Sequence, residues 1–171
     1  MMMRRRSNGL AVMIKQCQSE DIERIYAVIN EAARVYRGVI PPDCYYEPYM
    51  SVDELVEEMQ RMDFFGWWEE EQLIGVMGFQ RVEDVTLIRH SYVRSSWQRQ
   101  GIGNQLLNYL KPLVETRWLL VGTWAAADWA ITFYQKHGFH LLDDNDRLLR
   151  SYWHISDRQI ETSVVLGFML Y

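Results

Sequence analysis

Cysteine and long apolar runs are both scarce in this sequence. Its 171 residues include only two cysteines, Cys17 and Cys44, which have neither CxxC spacing nor histidine-rich neighbourhoods. We therefore expect no metal site, and we interpret both cysteines as reduced thiols, as is typical of a cytoplasmic protein. No window approaches the roughly 20 apolar residues of a membrane-spanning helix, so we expect no membrane partner.

Basic residues are also fewer than acidic ones. The chain has 18 Lys and Arg against 23 Asp and Glu, which gives a formal net charge of −5. Such a balance provides no general attraction to phosphodiester backbones or anionic lipid, and we expect no nucleic-acid partner. It leaves room for a local basic patch.

The composition that is present is that of a globular protein, with 49% hydrophobic and 24% charged residues. At this length one domain with a substantial core is the default. Methionines and arginines fill the first six positions, ahead of the first strand pattern. We predict a flexible N-terminus over residues 1–9 and a single domain over residues 10–171.

Hydrophobic periodicity predicts a mixture of α and β elements. Ser51 and Glu54 have the spacing of a capping box at the start of one helix. The segment Asp143–Asp157 is predicted to be a loop. The predicted helices are Glu20–Tyr36, a second from Ser51, Gly101–Thr116 and Asp128–His137, and the predicted strands are Leu10–Cys17, Phe64–Trp68, Leu73–Gln80, Val85–Val93, Trp118–Thr123, Phe139–Leu142 and Ile160–Leu170.

The segment Val93–Asn104 carries the most specific signal. It joins a predicted strand to a predicted helix and has glycines at positions 101 and 103. Glycines there let a phosphate approach backbone N–H groups at the positive end of the helix dipole. A Walker loop is excluded, and so is a dinucleotide-fold loop, because Leu106 stands where its third glycine would fall. An ordinary glycine-softened helix start is the alternative interpretation of these residues alone.

Two motifs resemble those of the GNAT superfamily of acyl-CoA-dependent N-acyltransferases. Gln98, Gly101 and Gly103 fit its Q/R-x-x-G-x-G/A signature, and Tyr134–Phe139 is similar to its Tyr-x-Lys-x-Gly-Phe pattern. The resemblance spans nearly the whole chain. It implies an α+β fold with a mixed, largely antiparallel central sheet of about seven strands flanked by four helices. One departure is Ala127, near where many relatives carry an asparagine that bonds the cofactor arm.

The resemblance also implies acetyl-CoA as the acyl-donor cosubstrate. In the family this loop binds the pyrophosphate of coenzyme A, and a backbone N–H at the end of the preceding strand polarises the thioester carbonyl. Arg94 is a further candidate contact for the nucleotide end. The residues expected to bind the cosubstrate are Tyr92, Val93, Gln98, Arg99, Gln100, Gly101, Ile102, Gly103 and Asn104.

The same resemblance assigns catalytic roles. Tyr134 matches the usual general acid, since a phenol is protonated at neutral pH and can donate to a departing thiolate. Packing at a helix–sheet junction is the alternative role for this side chain. For the general base we carry two candidates, Glu83 and His90. Strict alternation along Val85–Val93 places Arg89, which cannot serve as a base, on the same face as Val93.

The expected acceptor is a primary amine of a small molecule. In the family two loops wall the acceptor pocket, here Val39–Met50 and Asp143–Asp157, and Tyr45 and Tyr152 offer aromatic faces to an ammonium group. A buried Arg89 holding a carboxylate would favour amino-acid-like acceptors.

We expect direct transfer through a tetrahedral intermediate, because no cysteine nucleophile is indicated. The alternatives are another acyl-CoA donor on the same fold and a non-catalytic module that binds coenzyme A or a protein. The long apolar final strand and the tryptophan content make a homodimer the expected assembly.

Overall fold

The protein is described by a computed structural model over residues 2–5 and 9–171. Within these residues there are eight β-strands and six α-helices, joined in places by short 3-10 turns. In chain order they are β1 (Met2–Arg5), β2 (Ala11–Gln16), α1 (Ile22–Ala32), α2 (Val52–Arg61), β3 (Asp63–Glu69), β4 (Gln72–Val82), β5 (Val85–Val93), α3 (Ile102–Leu110), β6 (Trp118–Trp124), α4 (Asp128–Lys136), β7 (His140–Leu141), α5 (Asn145–Tyr152), α6 (Asp157–Glu161) and β8 (Ser163–Met169).

The strands are hydrogen-bonded in the order β1, β2, β3, β4, β5, β6, β8, β7. β5 and β6 run parallel, as expected for two strands that are joined through a helix, here α3. The pairs of β2 with β3, β3 with β4, β6 with β8 and β7 with β8 are antiparallel. The predicted α+β fold with a mixed, largely antiparallel sheet is therefore confirmed.

The strand beyond the seven that were predicted is β1. It pairs with β2 from Met2↔Ile14 to Arg5↔Ala11. The edge of β2 offers unpaired N–H and C=O groups, so a segment without a core pattern can still add a strand there. Met2–Arg5 thus differs from the flexible N-terminus predicted for residues 1–9. Met1 and residues 6–8, which belong to that same prediction, lie outside the described residues.

The chain divides into two compact units. The first comprises Met1–Arg34, Tyr46–Gln80 and Arg89–Val114, and the second comprises Val35–Tyr45, Arg81–Ile88 and Glu115–Tyr171.

The core of the first unit packs α1 and α2 against the sheet. Ile25 of α1, Leu55 of α2 and Phe64 of β3 are buried in one apolar cluster. The side chain of Ser51 accepts a hydrogen bond from the backbone N–H of Glu54 at 3.1 Å, which is the cap that the sequence predicts for α2. α1 itself is shorter than predicted, because 3-10 turns replace its first and last residues.

The second unit contains two helices that the sequence analysis misses, so the predicted count of four helices is wrong. Ser156 and Gln159 form a capping box that starts α6. Ile160 is buried within this helix, and β8 begins only at Ser163. The predicted final strand therefore starts too early, because the apolar Ile160 belongs to a helix turn rather than to the strand.

The predicted loop Asp143–Asp157 contains α5. The side chain of Asn145 accepts a hydrogen bond from the N–H of Val165 at 2.8 Å, which ties the start of α5 to β8. Leu149 of α5 is buried among apolar residues of this unit. The longest α-helix, α1, has 11 residues, and no helix in the described part of the chain is long and apolar enough to cross a membrane.

Candidate active site

The loop between β5 and α3 has a distinctive backbone. Ser95–Trp97 forms a 3-10 turn, after which Arg99 and Gly101 have left-handed φ angles of 61° and 79°. Glycine adopts this conformation without steric penalty, whereas arginine does not. The side-chain amide of Gln98 donates to the carbonyl of Val93 at 3.2 Å, which closes the loop onto the end of β5.

The start of α3 provides N–H groups for an anion. Its first intrahelical hydrogen bond runs from the Gln105 N–H to the Gly101 carbonyl at 3.0 Å, so the N–H groups before it have no acceptor within the helix. A Cβ built on Gly101 meets nothing within 4 Å, which means that the space beside it is open. Arg99 and Gln100 are exposed next to this space. The arrangement fits a phosphate or a pyrophosphate.

α3 lies unusually close to β4. A Cβ built on Gly75 would lie 3.1 Å from Ile102 Cγ2 and 3.3 Å from Val93 Cγ2, tighter than ordinary van der Waals contact. The absence of a side chain at position 75 therefore lets the start of α3 pack against the sheet. Ile102 is only 2% exposed, so its side chain is not available to a ligand.

Arg94, the first residue after β5, is bound within the first unit. Its Nη1 lies 2.7 Å from the carboxylate of Glu31, and its Nε donates to the Leu73 carbonyl at 2.9 Å. The sequence analysis offers Arg94 as a contact for the nucleotide end. In the loop itself, Arg99 is the arginine that is exposed.

β5 is irregular at His90. The φ angle of this residue is 52°, in the left-handed region, although it lies within the strand. A residue in this conformation interrupts the alternation of side chains along a strand. As a result, the consecutive side chains of Arg89 and His90 lie 3.3 and 2.9 Å from the same carboxylate oxygen of Glu58 on α2. The strict alternation assumed from the sequence is wrong at this point.

Glu58, His90 and Arg89 form a charge-compensated cluster. Burial lowers the pKa of His90, and the hydrogen bond with Glu58 does not restore it, so the imidazole is neutral at neutral pH. Burial alone would raise the pKa of Glu58, but the hydrogen bond with His90 and the charge of Arg89 hold it below its usual value. A neutral imidazole therefore donates its Nε2–H to an ionised carboxylate.

Glu58 is the residue of this cluster that sequence reasoning missed. It is 8% exposed and follows the buried Leu55 by three residues, which places it on the apolar side of α2. An acidic residue on an apolar helix face is the signal that could have indicated a buried, paired carboxylate. Arg89, which we expected to hold a substrate carboxylate, has Glu58 as its carboxylate partner and also donates to Gln80 Oε1 at 3.3 Å.

Aromatic rings surround the second half of β5. The ring of Phe64 stacks on His90 with centroids 6.0 Å apart, and Tyr49 meets Tyr92 edge-on at 6.4 Å. Tyr92 also packs against the apolar core of the first unit, so its side chain serves packing whatever else it binds.

β5 extends beyond its pairing with β6. The parallel ladder runs from Val85↔Trp118 to Ile88↔Val121, whereas β5 continues to Val93. The backbone after Ile88 is therefore not used by that ladder.

In the second unit, Tyr134 lies near the end of α4. It is 4% exposed, and its ring centroid lies 5.0 Å from that of Phe133 and 5.3 Å from that of Phe139. Its carbonyl accepts hydrogen bonds from the N–H groups of His137 and Phe139, and Gly138 follows with a left-handed φ of 86°. These contacts fix the turn that ends the helix.

Glu83 and Tyr152 lie around Asp84 in the same unit. The Tyr152 hydroxyl donates to Asp84 at 2.9 Å, and burial together with the charges of Asp84 and Glu83 raises the pKa of Tyr152. Glu83 precedes β5 in the chain, whereas the glycine loop follows it, so the nine residues of the strand lie between them in the sequence. His90 is the base candidate nearer to the loop along β5.

Tyr45 is half-buried and directly follows a 3-10 turn at Pro42–Cys44. Within the second unit, Asp43 of this turn pairs with Arg158 of α6 at 2.9 Å. Both side chains are exposed, so the pair orients the turn more than it stabilises the fold.

Comparison with known proteins places this geometry in a family. A family model described as the GNAT acetyltransferase domain matches residues 14–149. The PaiA N-acetyltransferase from Thermoplasma acidophilum in complex with coenzyme A aligns with a TM-score of 0.73 at 17% identity, over 92% of this chain and 98% of that chain. A GNAT-family acetyltransferase from Staphylococcus aureus Mu50 aligns with a TM-score of 0.72 at 14% identity, over 94% and 99% of the chains. The ribosomal-protein-S18-alanine N-acetyltransferase from Escherichia coli aligns with a TM-score of 0.68 at 17% identity, over 93% and 94%.

The match to this family model, together with the mixed sheet and the glycine loop before α3, identifies the protein as an acetyltransferase. The chain belongs to the GNAT acetyltransferase family, whose domain model covers most of its length. At these identities the solved structures show a shared fold, and the catalytic residues are argued from this chain's own geometry.

Proposed function

We propose that the protein transfers the acetyl group of acetyl-CoA directly to a primary amine of a small molecule. The observation that carries the proposal is the loop before α3, where left-handed Arg99 and Gly101 bring backbone N–H groups to the positive end of a helix. The fold relative from Thermoplasma acidophilum was crystallised with coenzyme A, which supports the same ligand here. Acetyl-CoA supplies a thioester whose C–S bond breaks as the C–N bond to the amine forms.

The pyrophosphate would be held by the N–H groups of residues 101–104 together with the exposed side chains of Arg99 and Gln100. Ile102 contributes only its N–H. Gln98 acts on the loop rather than on the ligand, because its amide is bonded to the Val93 carbonyl. The net charge of −5 does not oppose this binding, since the groups involved act locally.

We propose the backbone N–H of Val93 or of a neighbouring residue as the donor that polarises the thioester carbonyl. This part of β5 lies beyond the ladder with β6, which supports the assignment because the bonds of that ladder do not occupy it. A backbone donor is fixed by the fold and costs little reorganisation during the reaction.

We assign the proton transfers to His90 and Tyr134. An amine must lose a proton to react, and His90, neutral at neutral pH, can accept one. Because its Nε2–H is donated to Glu58, Nδ1 is the nitrogen that would take the proton. Tyr134 would donate its phenolic proton to the departing thiolate. Glu83, exposed in the turn before β5, is the second candidate for the base.

A cationic acceptor fits the charges near Tyr152. Asp84 and Glu83 both act on the Tyr152 hydroxyl, and such a group of an aromatic ring and carboxylates attracts an ammonium ion. Tyr45 and Arg89 are the other proposed acceptor residues; because Arg89 is already paired with Glu58, the carboxylate of an amino-acid-like acceptor would share its guanidinium with Glu58. We further propose a cytoplasmic homodimer without nucleic-acid or membrane partners, based on the charge balance and the apolar β8.

The test is release of free thiol from acetyl-CoA against a panel of simple and zwitterionic amines. Tyr134→Phe should lower kcat about 100-fold with little change in the KM for acetyl-CoA. Tyr171→Phe, which removes the same hydroxyl from an exposed residue, is the matched control and should keep full activity. Wild-type protein that releases no thiol with any amine refutes the proposed activity.

The base is tested by the pH profile. His90→Gln should remove the acidic limb of kcat/KM, whereas Glu83→Gln should leave it in place. The reverse result would transfer the role to Glu83.

A further inference from the structure

A carboxylate from α1 holds the first residues of the glycine loop. Glu31 Oε1 accepts the backbone N–H of Ser95 at 3.1 Å, and Glu31 Oε2 lies 2.7 Å from Arg94 Nη1. The two oxygens thus bind the main chain of one residue and the side chain of the residue before it. All three residues belong to the first unit.

Arg94 makes two further hydrogen bonds at the same junction. Its Nε donates to the Leu73 carbonyl at 2.9 Å, and its backbone N–H donates to the Ile74 carbonyl at 3.0 Å. Both acceptors belong to β4, so β4 and Glu31 together fix the direction in which the chain leaves β5. The 3-10 turn Ser95–Trp97 follows at once.

The position of Glu31 is unfavourable for the helix that carries it. It is next to the last residue of α1, where the helix dipole disfavours a carboxylate. Helix stability therefore does not account for an acid here, whereas the two hydrogen bonds to the loop do.

We propose that Glu31 is a positioning residue for the acyl donor: by binding Arg94 and Ser95 it preorganises the glycine loop for the coenzyme A pyrophosphate. The inference rests on the proposed function, since it concerns how that cosubstrate is bound. It also gives Arg94 a role different from the contact with the nucleotide end that we expected from the sequence. Arg94 acts through the shape of the loop.

Two explanations of the role of Glu31, its charge and its hydrogen bonds to the loop, predict opposite changes in coenzyme A affinity when the residue is neutralised. If only charge mattered, removal of a carboxylate near a polyanion site, with release of Arg94, would tighten coenzyme A binding. If position matters, loss of the tie to Arg94 and Ser95 loosens the loop and weakens binding. The sign of the change therefore separates the two explanations.

The experiment is calorimetric titration of coenzyme A into wild type, Glu31→Gln and Glu31→Ala. A hydrogen bond to a charged group is worth enough that Glu31→Ala should raise Kd roughly tenfold, with an unchanged number of sites. The Kd of Glu31→Gln, which keeps one acceptor for the Ser95 N–H, should lie between those of wild type and Glu31→Ala. Glu23→Gln removes the same charge from an exposed position on α1 and should change Kd less than about twofold.

Kinetics and a double variant complete the test. The KM for acetyl-CoA should rise in parallel with Kd, while kcat at saturating acetyl-CoA stays within about twofold, a split that general destabilisation would not produce. Adding Glu31→Ala to Arg94→Ala should weaken coenzyme A binding less than adding it to wild type, because only the tie to the Ser95 N–H is then left to lose. Equal or tighter binding by both Glu31 variants overturns the inference. Wild-type protein that binds no coenzyme A would instead refute the cosubstrate assignment.

Discussion

Replacing Glu58 with glutamine should destabilise the protein strongly and in a pH-dependent way. The substitution keeps the size of the side chain but removes the charge that faces Arg89 at 3.3 Å and His90 at 2.9 Å. Arg89 would then carry a guanidinium with little access to water and no carboxylate beside it. The amide oxygen can still accept a hydrogen bond from His90 Nε2–H, but it offers Arg89 no negative charge.

The magnitude follows from the burial of the pair. Removing one partner of a fully buried ion pair costs about 3–5 kcal/mol. The side chains of Glu58 and Arg89 are 11% and 14% exposed, so water screens part of this cost. We expect a loss of about 2–3 kcal/mol at pH 7.

The pH dependence adds a second signature. The folded state lowers the pKa of both His90 and Glu58 from their ordinary values of 6.5 and 4.5, so the unfolded chain binds more protons and acid destabilises the wild type. Without the Glu58 carboxylate, His90 loses the charged hydrogen-bond partner that partly raises its pKa, so its pKa falls further. The stability gap between wild type and variant should therefore widen from pH 7 to pH 5. The gap should narrow below about pH 4.5, where Glu58 takes up a proton in the unfolded wild-type chain while the folded state still opposes it.

The assay is urea denaturation at pH 7, 6, 5 and 4. Glu57→Gln, the adjacent exposed residue on α2, removes the same charge and should stay within about 0.5 kcal/mol of wild type at every pH. A Glu58→Gln protein as stable as wild type, or a gap that does not change between pH 7 and pH 5, would show that this cluster is not charge-compensated as described.

Three further substitutions test individual contacts. Gly101→Ala should lower the free energy of unfolding by about 1 kcal/mol in urea denaturation, because the φ of this residue is 79° although its Cβ would meet no other atom. In calorimetry the same variant should lose more than about 1 kcal/mol of coenzyme A binding free energy. Gly75→Ala should cost about 1–3 kcal/mol, since the new Cβ would lie 3.1 Å from Ile102 Cγ2, and a variant of unchanged melting temperature would contradict the close packing of α3 on β4. Thr86→Val should lower the free energy of unfolding by about 1 kcal/mol, because it removes the buried hydrogen bond of 2.7 Å between the hydroxyls of Thr86 and Thr116. Thr86→Ser, which keeps the hydroxyl, should lower it less when both variants are compared by thermal denaturation.

Elements with strong local signals could be predicted from the sequence. The three strands β3 to β5 are separated by polar breaks, and their apolar runs lie within the observed bounds. Gly101 marked the start of α3, and Ser51 marked the start of α2. These features depend on residues close together in the chain, so a single sequence carries them.

Short helices and long-range contacts could not be predicted in this way. α5 and α6 have eight and five residues, too few for a clear periodicity, and the capping box at Ser156 was the signal that was overlooked. The left-handed His90 has no reliable local signature, because a positive φ is uncommon even for histidine, one of the residues that adopt it more often than most. Its partner Glu58 lies 32 positions away, and the proximity of the two depends on how α2 packs against the sheet.

The contact between Glu31 and Arg94 also has a consequence for the order of folding. The two residues are 63 positions apart, so their meeting closes a long segment of chain and depends on α1, β4 and β5 being assembled. The glycine loop therefore acquires its binding shape late, after these elements have docked. During refolding, coenzyme A binding would then recover later than the helical circular-dichroism signal. Binding of this ligand would therefore show when the first unit has finished folding.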